Sequence, residues 1–238
     1  MDEFLTYESA FNTLMGRKSH PNESEIQLFE RTQKYVQSLR WIPWIAMIAV
    51  VNSLAMYATH EDSDIDLFVI TAPNSMWLVR LCMTAQFFLL WVWRKWDAVR
   101  GNFCLSFFIT TDAMNLQEIA IEKDVYLYYW IRTLKPILTR GGIFDTFLEK
   151  NNWVSVTLEQ RKENLQYRIF HWEKFTYSSW LFTIIDHCIR VFLLPLTRST
   201  ARKKWNPKGI ILSENMLKFH DQDRRETIRS AILNTVTR

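Results

Sequence analysis

The sequence predicts an α/β protein, and three observations carry that prediction. Apolar runs of strand length occur at residues 45–51, 64–70 and 102–110. Longer stretches with apolar residues three and four apart surround them, beginning with Phe4, Tyr7, Phe11 and Leu14. The 238-residue chain is 48% hydrophobic and 15% aromatic with only five glycines and six prolines, enough for a packed core and unlike a disordered or repeat-built chain.

Residues 1–40 read as two helices that cover a sheet. Ile26, Phe29, Gln33 and Val36 form the second stripe, and a turn at 16–22 separates the two. Pro43 closes the second helix, because the residue before a proline is pushed towards extended geometry. Residues 45–51 are apolar on both faces, as in a central strand. A helical turn at 54–58 and a loop at 59–63 lead to a second strand at 64–70. Pro73-Asn74-Ser75 breaks that strand and caps the next helix, 76–93. This helix is about as long as the shortest membrane spans, but Arg80, Thr84 and Gln86 interrupt it, so burial against the sheet is the preferred reading.

A third strand at 102–110 places Phe103, Leu105, Phe107 and Ile109 on one face and Cys104, Ser106 and Phe108 on the other. Residues 115–138 read as a helix with Ile119, Val125, Tyr129 and Ile131 in the core, followed by Gly141-Gly142 and a short helix at 144–150. The last third is aromatic and helical over 165–194 and ends at Pro195. Leu181, Ile184, Ile185, Cys188, Ile189 and Phe192 form its stripe, and Asp186 and Arg190 are spaced for an ion pair. A basic loop at 198–208 and a final helix capped by Asp221 or Asp223 complete the chain. The division expected is 1–150, with N-terminal helices 1–40 and a core at 41–138, and a helical C-terminal region at 151–238.

Composition narrows the setting. A net charge of +4 does not by itself demand nucleic acid. Cys82, Cys104 and Cys188 show neither metal-ligand spacing nor a disulfide framework, which favours a reducing cytoplasm. The acidic N-terminus lacks the basic and apolar regions of a signal peptide.

The chemistry centres on Asp64 and Asp66. On a strand they point the same way, roughly 7 Å apart, with Ile65, Leu67 and Val69 turned to the core. Paired carboxylates suit hard divalent cations. With Asn52-Ser53 after the first strand and Ser63-Asp64-Ile65-Asp66-Leu67 opening the second, the stretch resembles the DNA polymerase β-like nucleotidyltransferase superfamily. The resemblance covers residues 42–71 and extends loosely to about Trp153, towards a bacterial and archaeal branch of poorly defined role.

It implies a small, mixed, mostly antiparallel sheet flanked by helices. It also implies catalytic Asp64 and Asp66 holding Mg²⁺ or Mn²⁺ against a nucleoside triphosphate, whose phosphates meet Ser53, Ser63 and Asn52. Asn52 stands where the family has glycine, and asparagine tolerates the left-handed backbone needed there. The family's third carboxylate belongs on the strand at 102–110, which has no Asp or Glu. Ser106 takes that place and Asp112 is the nearest substitute, with Asp97, Glu118 and Asp124 further afield.

The expected function is transfer of a nucleoside monophosphate from NTP to a small molecule, a protein or an RNA end. The alternative is a degenerate module that binds nucleotide or a partner. A carboxylate facing Asp64 and Asp66 favours the enzyme, and an apolar or hydroxyl wall favours the module. A third reading, a membrane-associated protein built around 76–93 and 175–196, ranks below both, because a stripe facing the sheet or a protein partner explains the same pattern. Basic residues around Trp205 suit a phosphate backbone, but the small net charge favours a solvated loop. His220 with Asp221 and Asp223 lacks companion ligands for a metal.

Overall fold

The computed structural model describes residues 3–92, 101–172, 179–203, 209–219 and 223–236. Their fold is mixed α/β, an open sheet with helices on both faces. Helices α1 (Glu8–Met15) and α2 (Glu23–Gln37) precede β1 (Ile45–Val50), the turn α3 (Asn52–Ala55), β2 (Ile65–Thr71), α4 (Met76–Leu89) and β3 (Phe103–Thr110). Then come α5 (Val125–Thr133), β4 (Lys135–Arg140), α6 (Ile143–Lys150), α7 (Leu158–Leu165), β5 (Phe170–Trp172), α8 (Trp180–Lys203), β6 (Ile210–Leu212), β7 (Met216–Phe219) and α9 (Arg225–Val236).

The strand order is β5-β4-β1-β2-β3-β7-β6. Only β2–β3 and β4–β5 run parallel; the other four pairings are antiparallel. The expected mostly antiparallel sheet is therefore present, and it is larger than the first three strands suggest. The last third is not purely helical, since it contributes β5 to one edge and β6 and β7 to the other.

Burial explains the layers. Every residue of β1 is buried, as a central strand requires. On one face Ile48, Val50, Leu67 and Val69 pack under Phe29 and Val36 of α2 and Trp77, Val79 and Met83 of α4. On the other, Ala49, Phe68 and Ile70 pack under Phe11 of α1, Tyr129 and Ile131 of α5, and Phe147 of α6. The two leading helices thus lie on opposite faces. Leu14 and Ile26, expected in their stripes, are exposed, while Glu25 and Thr32 are buried. Gln33 donates to the Tyr167 carbonyl at 2.8 Å.

Helix α4 buries one face against the sheet, and its Gln86 and Arg80 are tied to the protein. Gln86 donates to Ser38 Oγ at 2.9 Å and accepts from Trp41 Nε1 at 2.8 Å. The Arg80 guanidinium lies over Phe219 at 4.4 Å, and burial lowers its pKa to about 10. Ser75 stands at the N-cap, but its hydroxyl donates to Ala72 O and makes no cap bond.

Other expectations are corrected. The helix expected at 115–138 is shorter: residues 116–119 form a 3₁₀ turn, α5 is confined to 125–133, and 135–140 is strand β4. Pro136 forces its predecessor towards extended backbone. It is tolerated inside the sheet because the β1–β4 register shifts between Ile48 and Ala49, which pairs with Pro136. Pro195 does not end a helix, because α8 continues through it to Lys203. The basic loop is thus helical as far as Lys203, and residues 204–208 lie outside the described residues. Arg190 bonds Glu214 at 2.6 Å instead of forming the expected pair with Asp186. Asp223 accepts from the Arg225 N–H at 3.1 Å, while Asp221 and His220 are outside the described residues.

Candidate functional site

Strand β1 ends beside the start of β2, where Val51 N donates to Asp66 O at 3.1 Å. This pairing brings the Asn52-Ser53 turn against the carboxylate pair. Asn52 adopts φ +57°, the left-handed conformation that asparagine accepts more readily than most residues. Its Nδ2 donates to Asp66 Oδ2 at 2.8 Å. Its Oδ1 accepts from Tyr126 OH at 3.1 Å and Trp130 Nε1 at 2.9 Å, both on α5. The amide is therefore oriented by its partners, and it orients Asp66 in turn. Burial and the nearby Asp66 charge raise the Tyr126 pKa, so the phenol stays protonated as a donor.

Asp64, Asp66 and Cys104 each offer a ligand atom, and these atoms lie within 4.8 Å of one another. Cys104 stands opposite Asp66 in the parallel β2–β3 pairing. Ser106 Oγ donates to Asp66 Oδ1 at a long 3.5 Å. The side of the pair formed by β3 is thus a thiol and a hydroxyl. Two carboxylate oxygens and a soft thiol within this span suit one cation better than two.

Strand β3 departs from simple alternation. Asp66 pairs with Cys104, but Phe68 pairs with Phe107, so β3 carries one extra residue at Leu105-Ser106. Phe103, Leu105 and Phe108 consequently face the α2/α4 layer, while Phe107 and Ile109 face the α5 layer. The expected grouping of Phe107 and Ile109 with Phe103 is corrected by this bulge.

The remaining expected site residues separate. Ser53 lines a cavity beside Asn52. Ser63 Oγ accepts from His60 N–H at 2.8 Å and so closes the loop before Asp64. Asp112 is exposed in a 3₁₀ turn beyond the far end of β3, which lies roughly 13 Å along the strand from Ser106, and does not join the pair. Glu118 is exposed in another turn, Asp124 caps α5 and pairs with Arg225 at 3.0 Å, and Asp97 lies outside the described residues.

The cavity has a volume of about 550 Å³ and is bounded by α1, α3, β3, α5, β7 and α9. Met56, Phe107, Trp130 and Ile228 supply apolar walls, and Asn52, Ser53 and Lys218 supply polar ones. Lys218 projects from β7 opposite Phe107. Burial, reinforced by Arg225, lowers its pKa to about 8, and Asp223 lies 3.9 Å from its Nζ. Burial alone would raise Asp223, but hydrogen bonds from Arg225 outweigh it and hold the carboxyl below the usual range. Arg225 also donates to Ile119 O at 2.8 Å and to Asp124.

Sequence reasoning missed Cys104 and the Lys218–Asp223–Arg225 group. Cys104 carried a signal, being two residues from Ser106 on one strand. Lys218, Asp223 and Arg225 are close in sequence, but no local pattern ties them to Asn52 and Phe107, which meet Lys218 only through the β3–β7 pairing. Comparison with protein-family models, curated proteins and solved structures returns no match for this chain.

Proposed function

We propose that the carboxylate pair and the adjoining cavity bind a nucleoside triphosphate with one divalent cation, in a nucleotidyltransferase-like fold. The observation that carries this reading is the shared residue Asn52, which holds Asp66 on one side and lines the cavity on the other. Asp64 and Asp66 would hold the cation, Mg²⁺ or Mn²⁺ by their oxygen ligands, and Cys104 would add affinity for Mn²⁺ over Mg²⁺. A bound cation supplies positive charge against phosphate oxygens. Lys218 supplies a second positive charge from the cavity wall, and Ser53 a hydroxyl donor. Met56, Trp130 and Ile228 offer apolar surface for a base.

The wall facing the pair favours binding over transfer. Ser106 and Cys104 stand where two-metal chemistry needs a further carboxylate. Transfer of a nucleoside monophosphate to an acceptor is the second reading, favoured by the paired carboxylates and by the cavity that Asn52 links to Asp66.

Equilibrium binding of each NTP with Mg²⁺ or Mn²⁺ tests the proposal, with Asp64→Ala/Asp66→Ala alongside. Metal-dependent binding lost in the double variant supports it. Absence of binding, or binding unchanged in the variant, overturns it. Incorporation of α-phosphate label into a cell extract, lost in the same variant, establishes the second reading.

A further inference from the structure

Helix α8 is built inside-out. Trp180, Leu181, Ile184, Val191, Phe192 and Leu196 are exposed, with Phe192 77% accessible. Asp186 and Arg190 turn the other way. Asp186 is buried and accepts from Leu78 N–H at 2.7 Å, at the start of α4. Arg190 reaches Glu214, and Phe182 packs on Trp44 at a ring distance of 4.4 Å. Beside the outer stripe, Leu81 of α4 joins Ile185, Cys188 and Phe192 around a wholly apolar groove of about 330 Å³. Among the described residues, α8 is the one helix long and apolar enough to cross a membrane by length and composition. The contacts of Phe182, Asp186 and Arg190 instead hold it flat along the domain.

A helix of this kind needs a cover for its outer face. The charge pattern indicates which. Between Val191 and Ser213 there is no Asp or Glu, but there are five cations: Arg198, Arg202, Lys203, Lys204 and Lys208. The whole chain carries only +4, so positive charge is concentrated in this segment. A second copy carries the same net positive charge. Anionic lipid headgroups above an apolar acyl layer offer both the charge and the cover.

We propose that α8 docks the protein on an anionic membrane surface, lying in the interface with its apolar stripe inserted and its basic continuation on the headgroups. The sequence pattern ranks this below a stripe facing the sheet or a partner, and the outward direction of the stripe removes the sheet as its cover. The proposal stands independently of the nucleotide site, since none of its described residues lines the cavity.

Co-sedimentation with vesicles tests it. The full chain is mixed with vesicles of phosphatidylcholine alone or with phosphatidylglycerol. Binding is expected to the mixed vesicles, to weaken with added salt, and to fall about tenfold or more in Phe192→Glu/Leu196→Glu and in Arg198→Ala/Lys204→Ala. Phe192, Leu196 and Arg198 are exposed, and an unchanged thermal melt confirms that both variants fold. No binding to mixed vesicles, or binding by both variants equal to that of the unaltered chain, overturns the proposal. So does a concentration-dependent dimer that Phe192→Glu/Leu196→Glu abolishes without any vesicle binding, which assigns the face to a second copy.

Discussion

Asn52 couples a left-handed backbone to three side-chain hydrogen bonds. Alanine there strains the backbone and removes the acceptor for Tyr126 and Trp130. Asn52→Ala is therefore expected to destabilise the fold by about 2–4 kcal/mol. Asn52→Gly relieves the backbone strain and should lose roughly 1 kcal/mol less. Urea unfolding of the two variants checks the difference; equal midpoints would mean that the left-handed backbone carries no cost.

Lys218 gives a pH prediction at the same scale. Its folded pKa is about 8, below the ordinary lysine value, so it loses its proton as pH rises through that region. Binding of a triphosphate favours the protonated form. Nucleotide affinity is expected to fall as pH rises through about 8, and Lys218→Arg should move that decline to higher pH. Affinity measured across the range decides it, and a decline at the same pH in both proteins would remove Lys218 from the site.

Between elements, Glu25 ties α2 to the loop that delivers Asp64. Its carboxylate accepts from Asn22 N at 2.9 Å, Lys18 Nζ at 2.9 Å, Thr59 N at 3.1 Å and Thr59 Oγ1 at 2.9 Å. Asn22 completes a reciprocal capping box by accepting from Glu25 N. Burial pushes the Glu25 pKa up, but these donors outweigh it and leave the pKa lowered. A depressed carboxylate pKa stabilises the fold above the unfolded value, near 4.5, and that contribution is lost as pH falls through the folded pKa. Glu25→Gln should flatten this acid limb and cost about 2 kcal/mol at neutral pH. Acid titrations of stability compare the two, and identical acid limbs would exclude Glu25 as the source.

Elements also show what was legible in the sequence. Strands β1 and β2 and the shared direction of Asp64 and Asp66 follow from local alternation. The bulge in β3 does not, because FCLSFFIT is apolar on both faces and its pattern tolerates an added residue without complaint. Strand β4 was hidden inside an apparent helix, although Pro136 marked the break. The stripe of α8 was visible, but the direction it faces is decided by Asp186 reaching the α4 terminus, a contact across 108 residues.

For the whole molecule, the sheet joins segments from both ends of the chain around one cavity. Strand β7 brings Lys218 beside β3, and α9 closes the far wall. The same assembly leaves β3 without a carboxylate opposite Asp64 and Asp66. Cys104→Asp supplies one at a position already within the ligand group. It is expected to tighten Mg²⁺ binding about tenfold or more, because a hard oxygen replaces a soft thiol. Calorimetric titration measures this, and unchanged affinity would place Cys104 outside the coordination sphere.

The central claim is that Asp64 and Asp66 hold one divalent cation together with a nucleotide. Electron paramagnetic resonance of Mn²⁺, titrated into the protein with NTP and corrected for Mn²⁺ held by NTP alone, tests it most directly. The account predicts one protein-dependent Mn²⁺ per chain, lost in Asp64→Ala/Asp66→Ala while the fold is retained. The same Mn²⁺ binding in the folded double variant, or none in the wild type, would contradict it.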